Sequence, residues 1–510
     1  MDEKKQNKNK QDEQDLSQVK VDADIKKNEA VLKELFKNAD DIVFRKIEGG
    51  QNRKVKMLLT YVDGMTSKEA ISEYAVQNLM MNMDLNSLEN SPETELQNAV
   101  AKTNISILEV QVLITLGECV DKMLSGETVL FIDTCSKAVM LSSRGWPMRG
   151  IQEPAAETLI RGARDGFVET MKVNITLIRR RIRDPKMKVK YTQVGTRSKT
   201  DIAILYIDDI VNRTVLETVE KRIKNIDIEA ILESSYIEEM IEDDSYSLFP
   251  QIENTERPDA AASALLEGRV VIAVDNTPTV LIAPAIFVSF MQSSEDYYER
   301  WLPSCITRLI RYLALPIVML LPALYVAVTQ FHPNMLPTQL ALYVAASRAN
   351  VPFPPYFEAL LMELVIELVR EASMRITTPV GSTIGLVGGL VIGQSSVEAG
   401  LITPLAVIIV ALTAIASFTI PSYNFSTTLR VIRFAFIILA SVFGLFGISI
   451  GLSILIIHLC TLKSCGIPYM TPLSTFVENR RDLRDTVIRP KIKNMVRKPK
   501  YLHPEKEKGN

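Results

Sequence analysis

The sequence predicts an α/β cytosolic region of two similar subdomains followed by an all-α, multi-span membrane domain. Three observations predict this arrangement. The block from Leu309 to Cys460 is dense in apolar runs of the length that a helix needs to cross a bilayer, about 20 residues. Ahead of it, short β-branched runs alternate with amphipathic helical patterns, and this alternation occurs twice. The first residues are charged or amide side chains without an apolar stretch, so they do not resemble a signal peptide.

The composition narrows the function classes. The 58 Lys and Arg residues against 60 Asp and Glu residues give a formal charge of −2, which argues against bulk nucleic-acid binding. With only 3 His residues, His-based metal sites and catalytic triads are implausible. The sequence contains no G-x-x-x-x-G-K-[ST] motif, and no G-x-G-x-x-G motif between a strand and a helix. The 5 scattered Cys residues fit reduced thiols on a cytosolic side. We therefore expect no enzyme activity, no cofactor and no metal.

Shifts in composition predict five regions along the chain. These are a disordered segment at 1–30, α/β subdomains at 31–160 and 161–300, a helical transmembrane domain at 301–465, and a basic cytosolic tail at 466–510.

The elements of the two α/β subdomains follow one another in a similar order. In the first, KVKMLLTYV reads as a strand, a capping box at Thr66 opens a helix through Met80, and LGECVDKML is a helix before the two strands of TVLFIDTCSKAVML. In the second, DIAILYID is a strand, NRTVLETVEKRIKN and RPDAAASALLEG are helices, and RVVIAVDNTPTVLIA contains two strands around a turn.

Two sequence matches support a duplication. Residues 61–63 (Tyr-Val-Asp) match 206–208 (Tyr-Ile-Asp), and 124–133 match 266–275, each with a Gly, a β-branched run and a final Asp. The matches occur in the same order and in nearly the same register, which predicts a repeated α/β unit.

An amphipathic helix is predicted from Phe167 to Arg183, between the two halves, and it ends in a basic cluster at Arg179–Arg183. The favoured interpretation is a solvated face that pairs with nearby acids, for which the acidic run Glu238–Asp244 is a candidate partner. Binding of phosphates or lipid headgroups is the alternative.

Four apolar runs define the membrane block: Leu309–Thr329, Val380–Gly393, Leu401–Ile420 and Phe434–Leu459. The last run could be a hairpin broken at Gly444–Gly451. Arginines precede the first run and a basic tail follows the last one, so the positive-inside rule places both flanks in the cytosol and requires an even number of crossings.

A further helix is predicted over Tyr356–Arg375, and Glu363, Glu367 and Glu371 follow one another at four-residue spacing along one of its faces. Two interpretations remain open. The helix is interfacial and its acids face water, or an oligomer turns the acidic face inward and concentrates cations along a pore.

Glycines recur at every fourth position in the Gly-rich run, which favours close packing of helices around a narrow pore. They are Gly381, Gly385, Gly389 and Gly393. On this helix Ile384, Val387 and Val391 are candidates for a hydrophobic gate that closes by dewetting.

Several stretches together resemble the A subunits of the GerA family of spore germinant receptors. They are RGARDGFVETMKVNITLIRRRI, RPDAAASALLEGRVVIAVDNTPTVLIAPAIF, SSEDYYERWLPSCITRLIRYL, RANVPFPPYFEALLMELVIELVREASMRI and GSTIGLVGGLVIGQSSVEAGLITP. They run in the family's order and extend from about Gly162 to Pro421. The first motif reads Gly162-Ala163-Arg164 where the family usually has a Gly-Pro-Arg-like start, which is a mild departure.

The resemblance implies a multi-pass subunit of the spore inner membrane, with its N-terminal domain and C-terminal tail on the core side. It implies a homo-oligomer within membrane lipid that works with a transporter-like B subunit and a lipoprotein C subunit. It also implies a ligand-gated channel for monovalent cations such as potassium that triggers germination. Two alternatives remain: a secondary transporter, or a non-conducting membrane scaffold like the sporulation paralogue of the family.

Overall fold

The computed structural model describes residues 18–49, 55–67, 110–145, 161–375, 393–474 and 482–494, with a few isolated residues besides. The chain divides into two compact units. The first reaches to Glu242 and includes Asn254–Pro284, and the second comprises Asp243–Glu253 and Ala285–Tyr501.

The first half of the first unit is an antiparallel sheet of five strands in the order β1-β2-β4-β5-β3. The strands are β1 Ile42–Gly49, β2 Val55–Val62, β3 Val110–Leu113, β4 Thr128–Ile132 and β5 Ala138–Leu141. The helices α1 (Ile25–Leu35) and α2 (Leu116–Leu124) contribute Leu32 and Cys119 to the core beside this sheet. A capping box at Thr115 and Glu118 fixes the start of α2.

The second half repeats the arrangement with the order β6-β7-β9-β10-β8. The strands are β6 Met187–Val194, β7 Thr200–Ile207, β8 Glu253–Thr255, β9 Val270–Val274 and β10 Val280–Ala283. The helices are α3 Met171–Arg179, α4 Arg213–Lys224, α5 Ser234–Ile241 and α6 Pro258–Glu267. Every residue of β9 and β10 is buried, which explains why their sequences are apolar runs without alternation.

The register of the strands confirms the predicted duplication. Leu59 pairs with Leu130 in the first sheet, and the residues aligned with them, Ile204 and Ile272, pair in the second. The strand-end aspartates are equivalent as well: Asp133 accepts a hydrogen bond from the first backbone N–H of α1, and Asp275 accepts one from that of α3. Each aspartate therefore ties a helix to its sheet, beyond the turn formation that aspartate commonly serves.

Two predicted boundaries in this unit differ from the structure. Order begins before residue 30, because α1 starts at Ile25 and buries Ile25 and Asn28. The helix predicted over Phe167–Arg183 is shorter and covers Met171–Arg179. The capping-box helix predicted from Thr66 to Met80 lies almost entirely outside the described residues.

Two arginines of the basic cluster Arg179–Arg183 pair with acids outside the run Glu238–Asp244. Arg179 forms a bidentate ion pair with Asp41 at 2.7 and 2.9 Å, and both side chains are almost completely buried. Arg181 pairs with Asp165 at 2.6 Å. Pairing with the run Glu238–Asp244 is therefore wrong for these two arginines. The chain uses Arg179 instead to join its two sheet-containing halves, because Asp41 precedes β1.

The second unit is helical. Its helices are α7 Glu295–Tyr298, α8 Trp301–Phe331, α9 Thr338–Arg348, α10 Pro355–Arg375, α11 Pro404–Ser417 and α12 Tyr423–Thr461. Among the described residues, α8 and α12 are long and apolar enough to cross a membrane, by length and composition alone. The run predicted over Leu401–Ile420 forms a shorter helix of 14 residues, because the chain turns at Pro404 and again after Ser417.

The helix α12 is folded back on itself at Gly444, whose φ of 63° and ψ of −139° are not helical. A Cβ atom on Gly447 would lie 2.2 Å from the carbonyl oxygen of Leu439. In a continuous helix these residues would be separated by about 12 Å along the axis. The predicted break at Gly444–Gly451 is therefore confirmed, and α12 has a first arm at 423–443 and a second arm at 445–461.

The two ends of the hairpin define the ends of the helical unit. Phe425 of the first arm and His458 of the second both lie near Phe249, with ring centroids at 5.9 and 6.2 Å. We call this end the base, and it also contains the aromatic rings of Phe287, Phe290 and Tyr469. The opposite end, the tip, brings Gly444 against Phe331 and His332 at the end of α8.

Candidate functional site in the helical unit

The predicted acidic helix, α10, runs from the tip towards the base. Near its start, Glu358 accepts hydrogen bonds from Thr403 at the N-terminus of α11, and Thr403 contacts Tyr325 late in α8. Further along, Glu367 contacts Arg430 in the first arm of α12. The acidic face of α10 therefore lies against two other helices of the same chain.

Glu363 and Glu367 each bind an arginine from the first arm of α12. Glu363 pairs with Arg433, and neither side chain is more than 1% exposed. Glu367 pairs with Arg430 at 2.7 Å, and Arg433 lies 3.9 Å from the other oxygen of Glu367. The spacing explains this match, because residues four apart on one helix and three apart on another both form a single face.

A third arginine, Arg370, completes what we call the Glu–Arg cluster: Glu363, Glu367, Arg370, Arg430 and Arg433. One terminal nitrogen of Arg370 lies 4.0 Å from Glu367, and the other donates a hydrogen bond to the Ser417 hydroxyl at 3.1 Å. Its guanidinium lies over the ring of Phe418 at 4.9 Å. The cluster thus combines three positive and two negative groups.

The depth of the cluster is unusual for charged side chains. The rise of an α-helix places Arg433 about 15 Å from the start of the first arm at Tyr423. Outward-facing residues at comparable positions are apolar, and Leu364 and Leu368 on the other side of α10 are 51% and 60% exposed. Ionised groups inside such an apolar helical layer are costly unless they are paired, as Glu363 and Glu367 are here.

These contacts bear on the two interpretations that the sequence left open for α10. Glu358 and Glu363 are 0% exposed, so for these two residues the picture of acids facing water is wrong. Glu371 does fit it, since its side chain is 53% exposed and pairs with Arg375 one turn later. Glu358 and Glu363 therefore face the interior of the helical unit, where arginines of the same chain neutralise them.

All three predicted gate residues and three of the four glycines beside them lie outside the described residues. Gly381, Ile384, Gly385, Val387, Gly389 and Val391 all belong to that part of the chain. Gly393 is described and buried, and a Cβ atom there would lie 3.8 Å from Val407 of α11, which is an ordinary contact.

A second charged cluster lies in the helical unit where α8 begins. Asp296 accepts from Arg308 and Arg311, and Asp485 of the tail accepts from Arg308 at 2.9 Å. Arg489 of the same tail segment donates to the carbonyls of Glu299 and Tyr297. Arg308 and Arg311 are therefore structural as well as part of the basic flank, and Arg308 holds the tail segment that contains Asp485 against α8.

The sequence analysis missed Arg430 and Arg433 as partners of the acidic face. The sequence did contain a signal for them. Arg430 and Arg433 are three residues apart, so they lie on one face of a helix, and they directly precede an apolar run. Within the described residues no group of three or more His, Cys, Asp or Glu side chains could hold a metal ion, and the five cysteines are thiols rather than disulfides.

Comparison with known proteins gives a consistent result. A family model for the Bacillus/Clostridium GerA spore germination protein matches residues 30–501. The uncharacterized membrane protein YfkQ of Bacillus subtilis strain 168 is 42% identical over 94% of this chain and 91% of that protein. Spore germination protein KA of the same organism is 40% identical over 92% of this chain and 85% of that protein. One match is a crystal structure of the N-terminal domain of the A subunit of the Bacillus megaterium spore germinant receptor GerK3. The sequences are 31% identical, the match covers 53% of this chain and 98% of that domain, and the TM-score is 0.42.

Proposed function

The chain belongs to the GerA family of spore germination proteins as an A subunit, and from that membership we propose that it forms a germinant-gated channel for monovalent cations. Nutrient binding to the receptor opens the channel, and the release of cations such as potassium triggers germination. The observation that supports conduction by this subunit is the Glu–Arg cluster, because it brings ionised side chains into an otherwise apolar helical layer.

In the proposed mechanism the ion pairs hold the path closed. Glu363 and Glu367 cannot attract a cation while Arg433 and Arg430 neutralise them. Opening separates α10 from the first arm of α12, and the acidic face of α10, which includes Glu371, then lines the cation path. The gate is formed by Ile384, Val387 and Val391, on a helix whose close packing depends on Gly381, Gly385, Gly389 and Gly393.

The chain works as a homo-oligomer together with a B subunit that senses the nutrient and a lipoprotein C subunit. Its helical unit spans the spore inner membrane several times, with the N-terminal domain and the tail on the core side. The hairpin supports this topology, since α8 begins and α12 ends towards the same end of the unit. The proposed topology accordingly has an even number of crossings.

The test is potassium efflux from spores that carry Glu363→Gln together with Arg433→Gln. This double variant removes one ion pair without leaving a buried charge, so the receptor assembles while the path loses a carboxylate. We expect slower nutrient-triggered efflux at a normal receptor level. Arg433→Gln alone uncovers Glu363 and is expected to leak.

The control is Asp208→Asn with Arg213→Gln, an exposed ion pair in the first unit and outside the proposed path, which is expected to preserve the efflux. Wild-type efflux from the Glu363/Arg433 double variant, at wild-type receptor level by immunoblot, would remove Glu363 from the ion path. Saturable uptake coupled to a counter-ion would instead favour a secondary transporter.

A further inference from the structure

The Glu–Arg cluster has one more positive than negative group, and Arg370 is the arginine with the weakest carboxylate contact. Its distance of 4.0 Å from Glu367 exceeds the range of a hydrogen bond. Among the described residues no other carboxylate lies within that distance of Arg370. The side chain of Arg370 is only 13% exposed, so its charge is not simply solvated.

The neighbouring Arg430 also has unused hydrogen-bonding capacity. Its terminal nitrogens bind Glu367 and Thr427, but its Nε is buried and has no partner among the described residues. Only 7% of the Arg430 side chain is exposed. A buried guanidinium N–H without an acceptor costs free energy, and an anion that accepts from it recovers that cost.

The position of these two arginines indicates what kind of anion reaches them. Arg370 lies over Phe418 and Arg430 over Tyr423, and these rings are 74% and 56% exposed. Both rings belong to the turn between α11 and α12, towards the base. Tyrosine side chains at the ends of apolar helices, such as Tyr423, are typical of the membrane–water interface, where lipid phosphates lie.

We propose that Arg370 and Arg430 form a binding site for a phosphate group at this turn. A guanidinium presents two parallel N–H groups that match the oxygens of a phosphate, so two neighbouring arginines can share one group. The phosphate comes either from an anionic phospholipid headgroup or from a soluble phosphate. The lipid source rests on the proposed membrane location, and neither source requires that the chain conducts ions.

The test uses the full chain purified in a neutral detergent. Thermal unfolding is followed with added phosphatidylglycerol, with phosphatidylcholine as the zwitterionic control, and with inorganic phosphate against chloride at equal ionic strength. Native mass spectrometry counts the lipids that stay bound. We expect phosphatidylglycerol to raise Tm and to remain bound, and Arg370→Gln to weaken this binding about tenfold.

Two further variants make the result specific. Arg375→Gln removes the same charge from an exposed position of α10 and is expected to bind as the wild type does. Arg370→Lys keeps the charge but lacks the paired N–H groups of a guanidinium, and it is expected to bind phosphatidylglycerol with intermediate strength. This variant also tests the site if Arg370→Gln does not fold.

A shift that inorganic phosphate alone reproduces, and that Arg370→Gln abolishes, supports the site and identifies a soluble ligand. The proposal is overturned if neither phosphatidylglycerol nor phosphate changes Tm of the wild type. It is equally overturned if folded Arg370→Gln or Arg370→Lys binds as tightly as the wild type. Each readout is independent of potassium efflux, so it separates this site from the proposed channel.

Discussion

Single buried charges determine how the two halves of the first unit join. Arg179 lies at the end of α3 and Asp41 directly before β1, so one ion pair connects the second half to the first. The backbone N–H of Asp40 donates to Val189 in β6, and Lys188 donates to the carbonyl of Leu35 at the end of α1. The junction is therefore polar, and its ion pair between Arg179 and Asp41 is excluded from solvent.

Replacing Asp41 with Asn should destabilise the first unit strongly. The change leaves Arg179 buried without its counter-charge, which costs about 3–5 kcal/mol. Asp208→Asn is the matched control, because its pair with Arg213 is exposed and is worth less than about 1 kcal/mol. Hydrogen exchange at β1 and α3 of the purified chain measures the difference, and equal protection in both variants would contradict a structural role for the pair.

Glu238 on α5 predicts a pH dependence of stability. Burial, reinforced by the charges of Glu242 and Glu233, raises its pKa from 4.5 to about 7. The folded state therefore binds this proton more tightly than the unfolded state. The contribution of Glu238 to the free energy of unfolding is complete below pH 4.5 and is lost as the pH rises to about 7.

Glu238→Gln should accordingly be more stable than the wild type at pH 8, by roughly 1–3 kcal/mol, and similar at pH 4. Glu239→Gln, at the exposed neighbouring position, should follow the wild-type curve. Thermal unfolding of the full chain between pH 4 and pH 8 gives the comparison. Parallel curves for the wild type and Glu238→Gln would argue against the shifted carboxyl.

At the scale of elements, the sequence predicted the apolar run that forms α12 but did not determine whether the run folds back on itself. Glycine permits the backbone conformation at Gly444, and the absence of a side chain at Gly447 permits the close approach of the two arms. A glycine can equally serve ordinary helix packing, so the sequence offered the hairpin only as one possibility.

Gly447→Ala should therefore separate the arms of α12. Its Cβ atom would lie 2.2 Å from a backbone oxygen, which cannot rotate away, so we expect a loss of about 2 kcal/mol or more. Gly393→Ala is the control, since its Cβ atom would make only an ordinary contact at 3.8 Å. Equal melting temperatures of the two variants in detergent would be inconsistent with the folded-back helix.

The limits of sequence-based prediction are clearest for the ion pairs. β-Branched runs between turn residues predicted strands such as β4 and β9, because local periodicity determines them. The four-residue spacing likewise predicted one face for Glu363 and Glu367. Their partners, Arg433 and Arg430, lie 70 and 63 residues away, and only the packing of α10 against α12 brings them together.

At the scale of the whole molecule, the first unit is an internal repeat whose two halves are connected by an ion pair that has no equivalent in the repeat. Strand order, register and the helix-holding aspartates Asp133 and Asp275 are shared by both halves. Arg179 and Asp41 are not, because the strand alignment matches Asp41 with Lys186 in the second half. The duplicated halves have therefore diverged where they meet.

The proposed topology makes a whole-molecule prediction about accessibility. Asn334 follows α8 at the tip, and Lys463 follows α12 at the base, so a membrane should separate them. In protoplasts, a membrane-impermeant maleimide should label Asn334→Cys from outside and Lys463→Cys only after permeabilisation, with the five natural cysteines replaced by alanine. Labelling of both positions from outside would refute the even number of crossings.

The turn of the α12 hairpin also has a consequence for biosynthesis. The sequence Val-Phe-Gly-Leu-Phe-Gly-Ile at 442–448 contains no charged residue and no long polar loop. Two connected apolar arms can therefore enter the lipid together from one side, because no ionised group has to be carried across with the turn. In the proposed topology the tail segment that contains Asp485 is made after this pair, and it reaches Arg308 of α8 without crossing the lipid.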